Sequence, residues 1–286
     1  MEQQIGSTII DAPSGGAVAA AQVRGGRPSQ QDDMVCLHDP DSGTWLLVLA
    51  DGMGGEGAGE QASAGVVSTA RRSWARGGWR DLPGPVFLEQ LCQDAHLELR
   101  RCGDALGGVR PHATVVALLL RDRHAYWAHA GDSRLYRLER GRLAGRTEDH
   151  SLVQERVRRG EIDPRDAATA PDQHQLLRGL GGARRPQVEH GFAPRRRDQQ
   201  FALCSDGVWA YLSDDEVAAY ASRPDPSCAV REALALVLCR GGDRGDNASL
   251  ILVQVAPAAF PRLGYWRSAW ARIRGVPGSR RPADAH

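Results

Sequence analysis

The sequence predicts an α+β fold of stacked layers, and three observations predict it. Apolar strand-like runs fall into two groups, 45–50 with 113–139 and then 200–204 with 248–255. Each group accompanies a pair of helical segments, and strands gathered around paired helices make a layered α+β core. The turns between consecutive runs in 113–139 are too short for a crossover, which calls for antiparallel pairing.

Residues 45–50, W-L-L-V-L-A, read as a buried strand that ends at Asp51 and opens into a glycine-rich loop. From Gly59 to Arg76, and again from Val86 to Arg101, the residues are helix-forming, with Phe87, Leu91, Ala95 and Leu99 at helical spacing. The runs 113–120, 125–130 and 134–139 read as three strands separated by tight polar turns at 121–124 and 131–133, the third closed by 139–141. All three are expected to pair with one another. A polar stretch rich in arginine and glycine follows over 151–198, then strands at 200–204 and 248–255 with helices at 214–221 and 227–239 between them. There is no internal repeat. From Pro257 the composition shifts to Pro, Arg and Trp, so the core is assigned to 1–256 and 257–286 to a tail.

A chain of 286 residues can bury a sizeable core in one large domain or two small ones. With 36 basic and 35 acidic residues its formal charge is +1, which excludes recruitment of nucleic acid by a global field and leaves any anion site to be local. The six cysteines, Cys36, Cys92, Cys102, Cys204, Cys228 and Cys239, lack C-x-x-C spacing and are expected as reduced thiols. Residues 1–13 show no basic segment leading into an apolar one, and no run approaches the ~20 residues of a membrane span, so a cytoplasmic protein is expected.

Four aspartates sit at the ends of apolar runs: Asp51 after L-L-V-L-A, Asp132 after W-A-H-A-G, Asp206 after F-A-L-C-S and Asp246 before A-S-L-I-L-V. One aspartate beside a small residue is ordinarily a turn residue. Four in the same context are expected to converge at one edge of a layered core. Clustered carboxylates repel unless cations neutralise them, and an all-oxygen site selects Mg²⁺ or Mn²⁺.

Six motifs occur in order: R-P-S-Q-Q-D at 27–32, A-D-G-M-G-G-E-G-A-G-E-Q-A-S at 50–63, A-G-D-S-R-L-Y at 130–136, T-E-D-H-S at 147–151, L-C-S-D-G-V-W at 203–209 and G-D-N-A-S at 245–249. Over residues 15–255 the chain resembles the type 2C, or PPM, protein phosphatases, in the style of the bacterial members. The resemblance implies a four-layer αββα sandwich, two central antiparallel sheets flanked by helix pairs. It implies two Mn²⁺ or Mg²⁺ ions bridged by Asp51, with Asp206 and Asp246 on one ion and the Gly52 carbonyl on the other. Asp32 then acts through metal-bound water, Asp132 with Asp206 forms a third, weaker metal site, and Arg27 binds phosphate.

The implied reaction is hydrolysis of phosphoserine and phosphothreonine on proteins by a water or hydroxide bridging the two metals, which orient it and neutralise charge on the phosphoryl oxygens. Planar, bidentate Arg27 suits the phosphoryl group better than a lysine. Expected substrates are those of a partner Ser/Thr kinase in bacterial signalling, and a monomer is expected. The reading from a different class is a catalytically silent module that binds phosphoproteins; the intact carboxylate set argues against it.

The chain departs from the family pattern at Gln30 and Gln31, where Asn and Glu are common, and at Glu56, where bacterial relatives carry a histidine. Met53 stands where eukaryotic members have a histidine proposed as general acid, so metal-bound water is expected to protonate the leaving group. The run 52–57 also fits G-x-G-x-x-G, but 71–102 offers no second strand with an acidic end, so a dinucleotide fold is rejected. His129 and His150 are read as structural. The stretch 151–198 falls at the family's variable flap, and its arginines Arg156, Arg158, Arg159, Arg178, Arg184 and Arg185 read equally as a phosphopeptide lure or a solvated basic face. In the tail, Trp266, Trp270 and Ile273 beside Arg267, Arg272 and Arg274 suit an amphipathic helix, for which packing on the domain is favoured over membrane contact.

Overall fold

Residues 45–50 are apolar at every position because the strand that contains them is covered on both faces. Trp45, Leu47 and Leu49 enter one core while Leu46, Val48 and Ala50 enter another, the two-residue period of a strand between two layers. A fully buried leucine contributes roughly 2 kcal/mol, so this strand anchors the fold and fixes where Asp51 emerges.

The computed structural model describes residues 6–11, 17–54, 57–105, 109–163, 165, 166, 170, 172, 175–196 and 198–255. In chain order the elements are β1 (Gly6–Asp11), β2 (Ala17–Val23), β3 (Asp32–Asp39), β4 (Thr44–Met53), α1 (Ala58–Ala75), α2 (Gly78–Asp81), α3 (Gly84–Ala105), β5 (His112–Ala113), β6 (Val115–Arg121), β7 (His124–Ala130), β8 (Arg134–Glu139), β9 (Arg142–Arg146), α4 (Leu152–Arg158), β10 (Glu189–Pro194), β11 (Gln199–Cys204), α5 (Asp206–Trp209), α6 (Asp214–Ala221), α7 (Pro226–Gly241) and β12 (Ala248–Gln254). The tail assigned to 257–286, with Trp266, Trp270 and Ile273, lies outside the described residues, as does Glu56.

Two sheets form. One has the order β1-β2-β12-β11-β8-β9 and the other β10-β7-β6-β4-β3, with β5 pairing β4 at the edge of the glycine loop. Every pairing is antiparallel, which agrees with rejecting a dinucleotide fold. Three cores separate four layers. Helices α1 and α3 cover the second sheet through Val66, Phe87, Leu88, Leu91 and Leu99. Helices α5, α6 and α7 cover the first through Val208, Val217, Val230 and Leu234. Between the sheets lie Leu118, Phe201, Leu203 and Ile251. The αββα sandwich is therefore the architecture.

Local chemistry sets the helix starts. Ser213 and Glu216 cap α6 reciprocally, and the Asp225 side chain accepts from Ser227 N and Cys228 N at the start of α7, with Pro226 in its first turn.

One expectation fails. The strands β7 and β8 do not pair: β7 lies in the second sheet and β8 in the first. Residues 131–133 are a crossing between layers, because three residues span roughly the 10 Å between stacked sheets as readily as they close a hairpin. Gly131 takes φ 116° there, a backbone that side chains rarely adopt. The stretch 151–198 is also more structured than its composition indicates, since it holds α4, capped by Ser151, and the edge strand β10.

Candidate functional site

The aspartates converge because the strands that carry them end on the same side of the sandwich. Asp32 opens β3 and is the register partner of Asp51 near the end of β4. Asp132 sits in the crossing between the sheets, Asp206 follows β11 as the first residue of α5, and Asp246 precedes β12, which is paired with β11. A cavity of about 370 Å³ is lined by Arg27, Asp51, Gly52, Asp132, Asp206 and Asp246, with Gln31, Met53, Gly54, Leu176 and Asn247 completing its wall. Asp32 lies behind this wall, 3% exposed. All seven residues expected from the sequence are thus at or against one cavity.

The electrostatics are those of a crowded acidic cluster in which burial and mutual repulsion outweigh the cations nearby. Burial pushes Asp32 up to about 7, with Asp206 and Asp246 adding to the rise and a hydrogen bond from Ser205 opposing it. Burial raises Asp51 well above the usual carboxylate range, reinforced by Asp32, Asp206, Asp132 and Asp246. Asp132 is pushed up to about 8, first by burial and then by Asp206 and Asp149. Asp32 Oδ2 accepts from Ser205 Oγ at 2.7 Å, while Oδ1 is buried without a hydrogen-bond partner. Arg27 donates to Asp246 Oδ2 at 2.5 Å with its guanidinium half exposed at the cavity mouth.

This donor set fits divalent cations. Asp51 and Asp132, pushed toward the protonated form in a cavity that two further carboxylates line, are what a cation would relieve, and all-oxygen donors match hard ions such as Mg²⁺ and Mn²⁺. The Gly52 position tolerates no side chain, since a Cβ would lie 1.9 Å from the Gly59 carbonyl oxygen. That close approach seats the start of α1 against the end of β4.

Several supporting residues had no supporting role assigned to them from the sequence. Asn247 ties the Arg27 loop to the Asp246 turn: its Oδ1 accepts from Gln31 N at 2.8 Å, and its Nδ2 donates to Arg24 O at 2.8 Å and Ser29 O at 3.0 Å. Gln30 Oε1 accepts from Asp32 N at 3.0 Å. Trp209 donates from Nε1 to Asp132 O at 2.9 Å, and the Arg134 guanidinium stacks over its ring at 3.9 Å. Arg134 forks onto Asp149 at 2.8 and 2.6 Å, which joins the A-G-D-S-R-L-Y and T-E-D-H-S segments. The order of these motifs along the chain was visible; their partnership, across 15 residues and two turns, was not.

His129 and His150 stand beside the crossing and face Glu189, with ligand-type atoms within 4.8 Å of one another. Their rings stack at 4.4 Å and 14°, so an ion in the plane of one ring lies out of the plane of the other. His129 meets Glu148 O at 3.0 Å, and Gly131 N donates to His150 Nδ1 at 3.3 Å. That bond leaves the proton on His150 Nε2, facing Glu189 at 3.2 Å. This group braces the backbone before Asp132. The flap arginines are also engaged: Arg156 with Asp172 at 3.0 Å, Arg158 and Arg159 with Glu155 at 2.7 and 2.9 Å, Arg178 with Glu189 at 3.8 Å and Arg185 with Glu89 at 3.3 Å. For these five the reading as a lure weakens.

Comparison with known proteins agrees with the geometry. A family model described as protein phosphatase 2C matches residues 20–235. A protein phosphatase 2C-type protein of Streptococcus pyogenes is 29% identical over 231 residues, covering 80% of this chain and 93% of the relative. The serine/threonine phosphatase stp of Listeria monocytogenes is 32% identical over 177 residues, covering 60% of this chain and 69% of its own. The catalytic domain of the serine/threonine phosphatase PstP, solved in complex with 2 manganese ions, superposes with TM-score 0.71 at 27% identity, over 84% of this chain and 98% of that one.

Proposed function

The chain belongs to the protein phosphatase 2C family, and on that premise we propose that its acidic cavity hydrolyses phosphoserine and phosphothreonine on proteins with divalent cations held by Asp51, the Gly52 carbonyl, Asp206 and Asp246. The protein is a serine/threonine protein phosphatase. The observation that carries the assignment of the site is the meeting of four aspartates from both sheets in one cavity that Arg27 also lines.

Two divalent cations, when bound, supply Lewis acidity, lower the pKa of water and neutralise charge that develops on the phosphoryl oxygens. The chain's own residues do the rest. Asp51, at the end of a strand covered on both faces, would be a ligand of the cations. Asp206 and Asp246 would hold a cation beside it, and Asp132 with Asp206 would offer a third, weaker site. Arg27, at the cavity mouth, would present a planar fork to two phosphoryl oxygens. Asp32, behind the cavity wall, would act through water and not as a direct ligand. Met53, at the cavity wall, offers no proton to a leaving group.

The manganese complex of PstP supports Mn²⁺ as the activating ion, with Mg²⁺ the alternative of the same chemistry. The catalytic domain is placed at 1–256, the substrates are phosphoproteins of a partner Ser/Thr kinase in a bacterial signalling circuit, and the protein acts as a monomer in the cytoplasm. No helix among the described residues is long and apolar enough to cross a membrane. The silent phosphoprotein-binding module is disfavoured by the complete carboxylate set.

The test offers phosphoserine, phosphothreonine and phosphotyrosine peptides to the purified protein with Mn²⁺, with Mg²⁺ and with chelator. Metal-dependent release of phosphate from the first two supports the assignment. Stoichiometric binding of phosphopeptide without turnover, under every metal condition, supports the silent module instead.

A further inference from the structure

Asp51 and Asp132 come from different parts of the sandwich, one at the end of β4 and the other in the crossing from β7 to β8. One buried side chain stands between their backbones. Thr114, 0% exposed, accepts the Asp51 N–H on Oγ1 at 3.0 Å, and its own N–H donates to Asp51 O at 2.8 Å. The same Oγ1 lies 2.7 Å from Ser133 Oγ, one residue beyond Asp132. A threonine hydroxyl carries one donor and two acceptor sites, so while accepting from Asp51 it can still bond Ser133 in either direction.

The Thr114 methyl has a separate role. A Cβ at Gly131 would fall 2.6 Å from Thr114 Cγ2, so the methyl packs against the backbone on the other side of Asp132. Thr114 therefore holds Asp51 through both of its backbone polar groups and touches the residues on either side of Asp132. Trp209 closes the remaining side by donating to Asp132 O. A hydroxyl in this position has no solvent to satisfy and no ligand to bind.

We propose that Thr114 is a positioning residue for the reaction, its hydroxyl setting Asp51 in register with Asp132 through the chain Asp51 N–H, Thr114 Oγ1, Ser133 Oγ. The inference rests on the reading of Asp51 and Asp132 as cation ligands. Its consequence is that cation affinity depends on a hydroxyl that touches neither cation nor substrate. Partners that orient ligands in this way are typically worth about 10- to 100-fold in metal affinity or activity.

The experiment compares the full chain with Thr114→Val, which keeps the shape and removes the hydroxyl, with Thr114→Ser, which keeps the hydroxyl, and with Ser133→Ala. Mn²⁺ binding is read directly by calorimetry, alongside the Mn²⁺ concentration for half-maximal phosphopeptide hydrolysis and the thermal midpoint of the chelated protein. Expected are a Mn²⁺ dissociation constant raised about tenfold or more in Thr114→Val, recovery to within about threefold of wild type in Thr114→Ser, and an intermediate value in Ser133→Ala. A Thr114→Val protein that is less stable yet binds Mn²⁺ like wild type overturns the inference and leaves Thr114 a packing residue. Should Thr114→Val not fold, Ser133→Ala decides alone, and wild-type Mn²⁺ affinity in it overturns the inference. A wild type that binds no Mn²⁺ fails the reading of the site itself, which is a distinguishable result.

Discussion

Asp32 and Asp51 stand directly opposite each other on adjacent antiparallel strands, an acid facing an acid at the covered end of a sheet. Like charges in directly opposed positions are destabilising, and here burial raises both carboxyls. The pair is stable when protonated or when a cation lies between them and the rest of the cluster.

A dependence of stability on pH follows. A carboxyl whose folded pKa is raised contributes stability that is complete below its unfolded value and lost as pH rises through its folded value. For Asp32 that window runs from 3.8 to about 7, and for Asp132 from 3.8 to about 8. The chelated protein is expected to lose thermal stability between about pH 5 and pH 8, the reverse of an ordinary acid transition, and Mn²⁺ is expected to raise the midpoint more at pH 8 than at pH 5. Differential scanning calorimetry across this range checks both signs.

Among the described residues, Arg27 is the cation that lines the cavity beside the four aspartates. Hydrogen bonds to charged groups are worth roughly 1.5–3 kcal/mol, so Arg27→Ala is expected to raise KM for a phosphopeptide about 10- to 100-fold. Arg27→Lys should recover only part of this, because an ammonium cannot match two phosphoryl oxygens with a planar fork. Steady-state kinetics at saturating Mn²⁺ separates the KM effect from a loss of metal.

Arg134 and Asp149 are 14% and 9% exposed as side chains. Removing one partner of a buried, bidentate pair strands the other, and Asp149→Ala is expected to destabilise the fold by about 3 kcal/mol. The double variant Arg134→Ala with Asp149→Ala should lose less than the sum of the single losses. Urea midpoints of the three variants give the coupling.

Burial lowers His150 to about 4, with His129 adding to the shift, and burial lowers His129 as well. A base with a depressed folded pKa contributes stability present above its unfolded value and lost as pH falls through the folded one. Both rings are therefore expected to show no inflection near pH 6.5 in an NMR titration of the imidazole protons, and the brace against Gly131 should loosen only toward pH 4. An inflection near 6.5 assigned to His150 would contradict this environment.

The parts of the fold written in apolar character were legible: β4, β6, β11 and β12 from their continuous runs, and α1, α3, α6 and α7 from helical spacing. Strand β2, A-V-A-A-A-Q-V, was not, because alanine has little strand preference and is there for the close packing of a sheet between two layers. Strands β9 and β10 lie at sheet edges and are polar enough to read as loop. The crossing at 131–133 read as a hairpin because spacing reports connection length and not which layer comes next. At the site, the aspartates announced themselves by position and by motif. The roles of Thr114, Ser205 and Asn247 were not legible, even for the latter two inside motifs, because each acts through hydrogen bonds to residues 63, 173 and 216 positions away.

The most direct test of the central claim is phosphate release from a phosphothreonine peptide across a Mn²⁺ titration, by wild type and by Asp206→Asn. Turnover that rises with Mn²⁺ in the wild type, vanishes with chelator and is lost or displaced to far higher Mn²⁺ in Asp206→Asn is the expected result. Turnover indifferent to Mn²⁺, or an Asp206→Asn protein as active as wild type at every Mn²⁺ concentration, would contradict it.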